Sequence, residues 1–357
     1  MQSLKSIFFL AILAFAKSSP TDCTVDDVNE IESVLKQCNN IVINQLHVPS
    51  TGNLPVFNLD GKNLTINGKL TFDARYEDSE ALLTFTGEDY TVQNGPAGLI
   101  DGNGALYWDG KGVLSNKRKP VLIKVEKSKN ANFNSLLVND CPQACVEIRK
   151  SDDVVMNGFT IDTSSGDKSG LAVDTHGITI KNSSNVNIKN GRILNQGECV
   201  SVNQGHSIRV FSLDCIGSQG AVIRPEFAEA NFIRNISFEY VFLTRTQSGI
   251  RIVTSPSQPE GTIDDVSFNV IQVTDTEFRG IEIRQDYGNE GRPLGNIKIT
   301  NLNVASVTGY MTDKYVPAVY IYCGNDGCAN WQWSNINIKK AQVENSCNFI
   351  PTGFNCW

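Results

Sequence analysis

A repeated pair of strand-like segments in the C-terminal half of the chain constrains the fold more than any other feature. The first segments begin at residues 235, 265 and 296, at intervals of 30 and 31 residues, and the second segments read GIRIV, GIEIR and AVYIY. A fixed period with β-branched strands and Asn- or Gly-rich turns is typical of stacked coils. We therefore predict an all-β fold, a parallel β-helix; a Greek-key sandwich would not explain the fixed spacing.

The first residues of the chain predict a secreted protein. In residues 1–19, Lys5 precedes an apolar run from Ile7 to Ala16 that is too short to span a bilayer and is typical of a signal peptide that is removed. No later stretch is apolar enough to cross a membrane. We expect an extracellular protein, with N-glycosylation on exposed turns at the sequons of Asn63, Asn182 and Asn235.

Residues 20–357 are expected to form one domain. Short strand signals recur through it, whereas helical periodicity is confined to its N-terminal end. There the segment Val25 to Cys38 places Val28, Ile31 and Leu35 at helical spacing. Because solenoids need capping at their ends, we predict that this short helix covers the first coil. Outward residues on successive coils should then form columns on one face, where function would lie.

The cysteines fit an oxidising compartment, since the chain has ten of them and they fall in close pairs. Nearest-neighbour bridging is the simplest proposal, although sequence alone does not fix the connectivity. Only Cys141 and Cys145 have a spacing that suggests a metal site, and no His flanks them, so a disulfide is predicted there too. The predicted pairs are Cys23–Cys38, Cys141–Cys145, Cys199–Cys215, Cys323–Cys328 and Cys347–Cys356.

The charge of the chain excludes two classes of partner. The net charge is −7 and the sequence pI is about 5.1, with no basic block and no helix rich in Lys and Arg. Nucleic acid and anionic membranes are therefore not expected as partners. An acidic polymer would bind only through a local cationic patch.

One acidic residue stands out in the segment NQGECVSVNQG, which runs from Asn195 to Gly205. The segment has the alternation of a half-buried strand, and Glu198 is its only charge. Three interpretations are open. Glu198 is a catalytic carboxylate, the remainder of a dismantled site or an ordinary solvated surface residue.

Six segments in a fixed order resemble the polygalacturonase family, glycoside hydrolase family 28, and its fungal-type branch in particular. The likeness covers nearly the whole mature chain and includes the cysteine spacings. It implies a single-stranded right-handed parallel β-helix that acts on pectin. The segments are IDGNGALYWDG, NGFTIDTSSGD, NQGEC, GIRIVT, IRQDYGN and CGNDGCANWQWSNINI.

The resemblance implies an inverting hydrolysis, in which one carboxylic acid protonates the leaving oxygen and opposite carboxylates activate water. The family pattern has Asn-Thr-Asp on one coil and Asp-Asp-Cys on the next, and the first Asp of the pair is the acid. Glycine therefore stands here in place of that acid. The residues aligned with the two motifs are Asp174, Thr175 and His176, followed by Gly197, Glu198 and Cys199.

Three later motif positions are altered in part. Gln219 takes the place of the family histidine, and Val253 replaces a lysine that would hold the substrate carboxylate. Arg251 and Tyr287 are kept. By resemblance, Arg251, Tyr287 and Gln219 would bind substrate, with a bidentate contact from Arg251 to a uronate carboxylate and Tyr287 against a sugar face. The alternative for Arg251 is a structural ion pair.

These substitutions favour an inactive pectin-binding pseudoenzyme, because loss of a general acid alone typically costs about 10²–10⁴ in rate. Its ligand would be homogalacturonan or oligogalacturonides. One alternative is an active or rewired endo-polygalacturonase that hydrolyses α-1,4-galacturonosyl bonds. In that alternative, Asp174 and His176 lie two residues apart on one strand, so both point into the cleft. With Glu198 from the neighbouring coil they form a rewired acid–base cluster.

Other interpretations of the same residues stay open. His176 is a hydrogen-bonded residue without chemistry if the site is not rewired, and a metal site formed with Asp174 and Glu198 has little support from the spacing. A further alternative function is a decoy that binds polygalacturonase-inhibitor proteins. We expect a monomer with no cofactor and no metal.

Overall fold

The chain forms one right-handed parallel β-helix, in which short strands of successive coils pair in parallel along a single axis. A computed structural model describes residues 23–76, 80–168, 170–225, 231–288 and 292–356. The predicted signal peptide lies outside these residues. Within them, no helix combines the length and the apolar character needed to cross a membrane.

The N-terminal cap is a helix, but it is shorter than the predicted segment from Val25 to Cys38. A 3₁₀ turn over Val28–Glu30 leads into the α-helix Ile31–Gln37. The side chain of Asp27 accepts a hydrogen bond from the backbone N–H of Asn29 and so fixes the start. At the other end Cys38 has extended backbone angles.

The β-helix contains 26 strands in the described part of the chain, joined in one continuous sheet. Three further 3₁₀ turns lie at Gly104–Leu106, Gly112–Leu114 and Ser164–Asp167. The strands, numbered β1 to β26 in chain order, are Asn40–Ile43, Leu46–Val48, Val56–Asn58, Asn63–Ile66, Lys69–Phe72, Ala81–Asn94, Leu99–Asp101, Val121–Asn134, Leu137–Asn139, Ala144–Arg149, Asp152–Asn157, Thr160–Asp162, His176–Lys181, Ser183–Leu194, Val200–Val202, Gly205–Ile216, Ala221–Ile223, Asn231–Thr244, Ser248–Val253, Gly261–Thr276, Arg279–Arg284, Ile297–Met311, Val319–Tyr322, Cys328–Ala329, Gln332–Lys339 and Ser346–Cys347.

The strand register confirms the first interval of the predicted period and corrects the second. Phe238 lies beside Phe268, 30 residues later, whereas Phe268 lies beside Val304, 36 residues later and not 31. The second interval is longer because the connection from Arg284 to Ile297 is longer than the one from Val253 to Gly261. The rings of Phe238 and Phe268 stack at 4.9 Å between centroids. Inward-facing side chains of equal position therefore pile into one apolar column, and burial of such columns stabilises the stack.

The bends of the coils depend on residues that tolerate a left-handed backbone. Asn190, inside the strand Ser183–Leu194, has φ +54°, and its side-chain amide donates a hydrogen bond of 2.9 Å to the side-chain oxygen of Asn157 on the preceding coil. Asparagine adopts this conformation at lower cost than other L-residues because its short polar side chain bonds locally. Sequence positions rich in Asn thus mark where each coil bends.

The substitution Asn190→Ala is expected to destabilise the fold by about 1 kcal/mol more than Asn190→Gly does. Both variants lose the hydrogen bond to Asn157, so the difference isolates the cost of a Cβ at positive φ. Urea unfolding monitored by circular dichroism measures the two free energies. Equal losses for Ala and Gly would show that the backbone conformation at position 190 is not strained.

The ten cysteines join in the five nearest-neighbour pairs that the sequence favours. Each pair closes a short segment, the shortest of them between Cys141 and Cys145. The three sequon asparagines Asn63, Asn182 and Asn235 are exposed, and their glycosylation remains a prediction. The bonded pairs are Cys23–Cys38, Cys141–Cys145, Cys199–Cys215, Cys323–Cys328 and Cys347–Cys356.

One run of short strands, which we call the site sheet, positions the candidate site. Its members pair in parallel in chain order, so that outward side chains form columns across coils. One column runs through Thr179, Ser201, Val222, Arg251 and Glu282. The strands of the site sheet are Ala144–Arg149, His176–Lys181, Val200–Val202, Ala221–Ile223, Ser248–Val253 and Arg279–Arg284.

Candidate active site

A pocket of about 340 Å³ lies on the outer face of the site sheet. Its wall comes from five successive coils, because the columns of the parallel register bring distant residues side by side. The volume falls within the usual range of small-ligand pockets. The polar residues that line it include His176, Thr179, Lys181, Glu198, Asn203 and Arg224.

Glu198 is a buried, ion-paired carboxylate and not a solvated surface residue. Its side chain is 5% exposed, and Oε1 lies 3.0 Å from Nε of Arg224. Burial is the largest single effect and would raise the pKa of Glu198, but the positive charge of Arg224 and smaller contributions from His176, Ser201 and Arg251 together outweigh it, and the pKa is lowered. Glu198 is therefore ionised, which is the opposite of the state that a general acid requires.

His176 is the first residue of its strand and faces Glu198 in the pocket. The backbone N–H of Glu198 donates a hydrogen bond of 3.1 Å to Nδ1 of His176, and Nδ1 lies 3.9 Å from Oε2 of the same residue. A ring nitrogen that accepts a hydrogen bond carries no proton, so the proton of the neutral ring is on Nε2. Burial lowers the pKa of His176, against the opposing charge of Glu198.

The stability of the protein is expected to fall as the pH drops below about 6.5, the ordinary pKa of histidine. His176 stays neutral in the folded state and is protonated in the unfolded state, so folding releases a proton and acid opposes it. The ceiling for one proton is about 1.4 kcal/mol per pH unit.

Urea unfolding between pH 6.5 and pH 5 tests this expectation. This pH range lies above 4.5, the ordinary pKa of Glu198. Because the pKa of Glu198 is lowered in the folded protein, its protonation reduces stability only at lower pH. The variant His176→Asn should show a shallower dependence on pH, and His206→Asn, which changes an exposed histidine, should keep the wild-type slope. An unchanged slope in His176→Asn would contradict the assignment.

Asp174 does not lie on a strand with His176, so the expectation that alternation points both into the cleft is wrong. The strand begins at His176, and Asp174 precedes it in a left-handed turn with φ +54°. Its carboxylate accepts hydrogen bonds from the backbone N–H of Val113 at 3.2 Å and from the side-chain amide of Gln219 at 3.0 Å. Asp174 thus holds a loop and Gln219, while His176 lines the pocket.

Position 197 has no room for a side chain. A Cβ added to Gly197 would lie 2.9 Å from both the backbone nitrogen and Nδ1 of His176. Because real Cβ atoms do not approach backbone so closely, any larger residue must displace the start of the His176 strand. The glycine that stands in place of the family acid is therefore packed into the site.

Arg251 is held in an ion pair, which was the structural alternative for this residue. Nε donates a hydrogen bond of 2.8 Å to Oε2 of Glu282, and the two side chains are 10% and 3% exposed. The guanidinium carbon lies 5.8 Å from the ring centroid of Tyr287. Val253, two residues along the same strand, is buried and apolar. This coil therefore presents little free positive charge.

The predicted residues form three adjoining groups, of which only one lines the pocket. His176 and Glu198 line the pocket, Asp174 and Gln219 bond to each other beside it, and Arg251 packs near Tyr287. The groups are linked, because the backbone N–H of Gln219 bonds to the carbonyl of Gly197 at 2.7 Å. The charge of Arg251 also contributes to the lowered pKa of Glu198.

Sequence reasoning missed the cations that face this site. Arg224 and Lys181 line the pocket, and Lys181 lies 3.0 Å from the carboxylate of Glu147 on the neighbouring coil. Their column is visible only once the strand register is known, since they lie 43 residues apart in the chain. In the described part of the chain, no cluster of three or more His, Cys, Asp or Glu residues is arranged to hold a metal ion.

Comparison with known proteins assigns the family. Residues 38–356 match the family model described as glycosyl hydrolases family 28. The chain belongs to this family. Among curated relatives of this family 28 chain, a protein named polygalacturonase from Phaedon cochleariae is 31% identical over 99% of this chain and 100% of its own length. Endopolygalacturonase I of Aspergillus niger is 30% identical over 96% of this chain and 93% of its length.

Solved structures share the fold. Endopolygalacturonase I from Stereum purpureum, described as complexed with two galacturonate, aligns with a TM-score of 0.80 at 27% identity, over 89% of this chain and 94% of that one. Endo-xylogalacturonan hydrolase from Aspergillus tubingensis aligns with a TM-score of 0.82 over 93% and 95%, and at 22% identity it supports the fold alone.

Proposed function

We propose that this family 28 protein binds homogalacturonan, or oligogalacturonides derived from it, in the pocket of the site sheet without turning it over as a polygalacturonase. The observation that carries the proposal is the ion pair of Glu198 with Arg224 beside Gly197. The pair holds the remaining carboxyl ionised, and no acid stands at position 197. Inverting hydrolysis needs a protonated carboxyl and a carboxylate on opposite sides of the bond.

Binding is supported by the chemistry of the pocket. Its wall combines a guanidinium, an ammonium, a hydroxyl and an amide in the side chains of Arg224, Lys181, Thr179 and Asn203. Such groups satisfy the hydroxyls and carboxylates of an acidic sugar. Each of the two cations is paired with a carboxylate that also lines the pocket, Lys181 with Glu147 and Arg224 with Glu198, so an acidic sugar would share them with these partners. Five disulfides and the signal-like first residues support a secreted protein.

A second candidate function is hydrolysis by an active or rewired endo-polygalacturonase. The names of the relatives favour this candidate over an inactive binding protein. The two curated relatives reported above are named polygalacturonase and endopolygalacturonase I, and each aligns with nearly the whole chain. The contact between His176 and Glu198 also places an imidazole and a carboxylate together in the pocket. In this candidate the neutral His176 and the ionised Glu198 would both act as proton acceptors, and the acid would have to come from elsewhere.

The two candidates are separated by measuring binding and product release in the same samples. The secreted protein is incubated with demethylated and methylated pectin, binding is measured by calorimetry, and new reducing ends are counted. The proposal expects binding with no new reducing ends. Products that appear with wild type and vanish in Glu198→Gln or His176→Gln would establish the hydrolase instead, and absence of binding would refute both.

A further inference from the structure

We propose that Arg224 is the anchor for a uronate carboxylate in this protein, in place of the cation that is missing at position 253. This inference rests on the proposed function, since it names the contact through which the pocket would hold an acidic sugar. The register pairs Ile223 with Ile252, so Arg224 and Val253 are neighbours in one column. Arg224 therefore stands one coil, about 4.8 Å, from the position of the lost lysine.

The neighbouring coil is unsuited to this task. Arg251 is almost fully buried and bonds to Glu282 through Nε, and Val253 carries no charge. A carboxylate that approached Arg251 would meet the charge of Glu282 at the same guanidinium. Moving Arg251 towards a ligand would also leave Glu282 unpaired in the interior, at a cost that exceeds a single surface contact.

Arg224 has the exposure that an anchor needs. Its side chain is 32% exposed and lines the pocket. Nε lies 3.0 Å from Glu198 Oε1 and is itself buried, so the exposed part of the side chain lies away from Nε. A guanidinium has five N–H donors in a planar fork, so the contact with Glu198 leaves an edge for a bidentate carboxylate. The backbone is fixed, because Asn203 donates a side-chain hydrogen bond of 2.8 Å to the Arg224 carbonyl.

Glu198 gives the anchor a distinctive signature. Its ionised carboxylate lies next to Arg224 and repels a second carboxylate that binds there. Removing this charge should strengthen the binding of an acidic sugar and leave the binding of a neutral one unchanged. If Arg224 served only to pair with Glu198, removing the charge of Glu198 would not strengthen the binding of an acidic sugar.

The experiment compares Glu198→Gln with Glu198→Gln/Arg224→Gln, because the two proteins differ only at Arg224 and neither leaves Glu198 charged without a partner. The probes are trigalacturonate and its methyl ester, measured by calorimetry at low salt. Glu198→Gln should bind trigalacturonate about threefold or more tightly than wild type. The double variant should bind it roughly 10- to 100-fold more weakly than Glu198→Gln. The methyl ester should bind weakly to all three proteins.

Two further variants complete the design. Arg224→Lys keeps the charge and loses the fork, so its affinity for trigalacturonate should fall several-fold while its fold is retained. Arg209→Gln removes an exposed arginine outside the site sheet, on the strand Gly205–Ile216, and should bind as wild type does. Thermal unfolding of each variant shows that it is folded.

The outcomes separate this inference from the proposed function. Wild type that binds neither probe refutes both. If wild type binds trigalacturonate, the proposed function stands, and two results would overturn the inference about Arg224 alone. One is equal affinity of Glu198→Gln and the double variant for trigalacturonate, and the other is an affinity of Arg224→Lys equal to that of wild type. Equal affinity for the acid and the methyl ester also overturns it, because an anchor that acts through charge must distinguish them.

Discussion

Gly197→Asp is expected to release no oligogalacturonides above the wild-type level and to destabilise the fold by about 1–3 kcal/mol. The new Cβ would lie 2.9 Å from the backbone nitrogen of His176, so the strand that starts there must move. The restored carboxyl would also still face a site in which Arg224 neutralises Glu198. A single acid therefore meets neither the geometry nor the charge that hydrolysis needs.

Gly197→Ala is the matched control, because it adds the same Cβ without a carboxyl. It should lose a similar amount of stability in urea unfolding, which would assign the loss to packing. Release of reducing ends from polygalacturonate measures the activity of both variants. A rate for Gly197→Asp that rises tenfold or more above wild type would contradict the packing argument.

Restoring the whole family pattern is expected to recover measurable hydrolysis, counted as new reducing ends from polygalacturonate. The changes place Asp at positions 176, 197 and 198, His at 219 and Lys at 253. Arg224→Ala is included as well, because Arg224 would otherwise neutralise the carboxylate introduced at position 198. Asp in place of His176 removes the ring that crowds position 197, but the backbone nitrogen of residue 176 still lies 2.9 Å from the added Cβ, so the start of this strand must also shift. Recovery is expected to be partial, because Val253 is buried and a lysine there must reach solvent through packed neighbours.

Arg251→Met is expected to cost about 3–5 kcal/mol of stability. It leaves the carboxylate of Glu282, 3% exposed, without its partner at 2.8 Å. Arg284 compensates little, since its closest approach to Glu282 is 3.8 Å and it bonds to Asp286 at 2.7 Å. Guanidinium chloride unfolding measures the loss.

The double variant Arg251→Met/Glu282→Leu is the control for this prediction. It removes both charges and should recover most of the lost stability, because well-packed apolar residues replace buried ion pairs at little cost. A single variant as stable as wild type would show that the pair is not buried in solution. The double variant also separates a structural role of Arg251 from a role in ligand binding. The affinity of the double variant for oligogalacturonide falls below that of wild type only if Arg251 touches the ligand.

Much of the fold follows from the sequence, because paired strand segments recur along the chain. The interval of 30 residues matches the strand register, whereas the next offset is 36 residues and not 31, because the connection after Arg284 is longer than the sequence pattern shows. The β-branched residues at alternate positions indicate which side chains face inward. The hydrophobic spacing predicts the N-terminal helix in the right place but makes it too long, since spacing does not show that Asp27 and Cys38 limit it. Helix ends depend on capping contacts that spacing alone does not encode.

The candidate site was less accessible to sequence reasoning. Alignment to motifs placed His176, Glu198 and Gln219 near one another, but alternation failed at Asp174 because a left-handed turn precedes the strand. Arg224 belongs to no motif, and its role depends on a lateral neighbour across coils. Contacts of this kind depend on the register of neighbouring strands. That register is set by the packing of all the coils together and is not visible in any one segment of the sequence.

The central claim is that the pocket of the site sheet holds an acidic pectic oligosaccharide without cleaving it. A crystal structure of the wild-type protein grown with trigalacturonate tests this claim most directly. We predict an intact trisaccharide in the pocket, with one carboxylate within hydrogen-bond distance of the Arg224 guanidinium. A cleaved sugar in the pocket, or an intact one bound to another face of the β-helix, would contradict it.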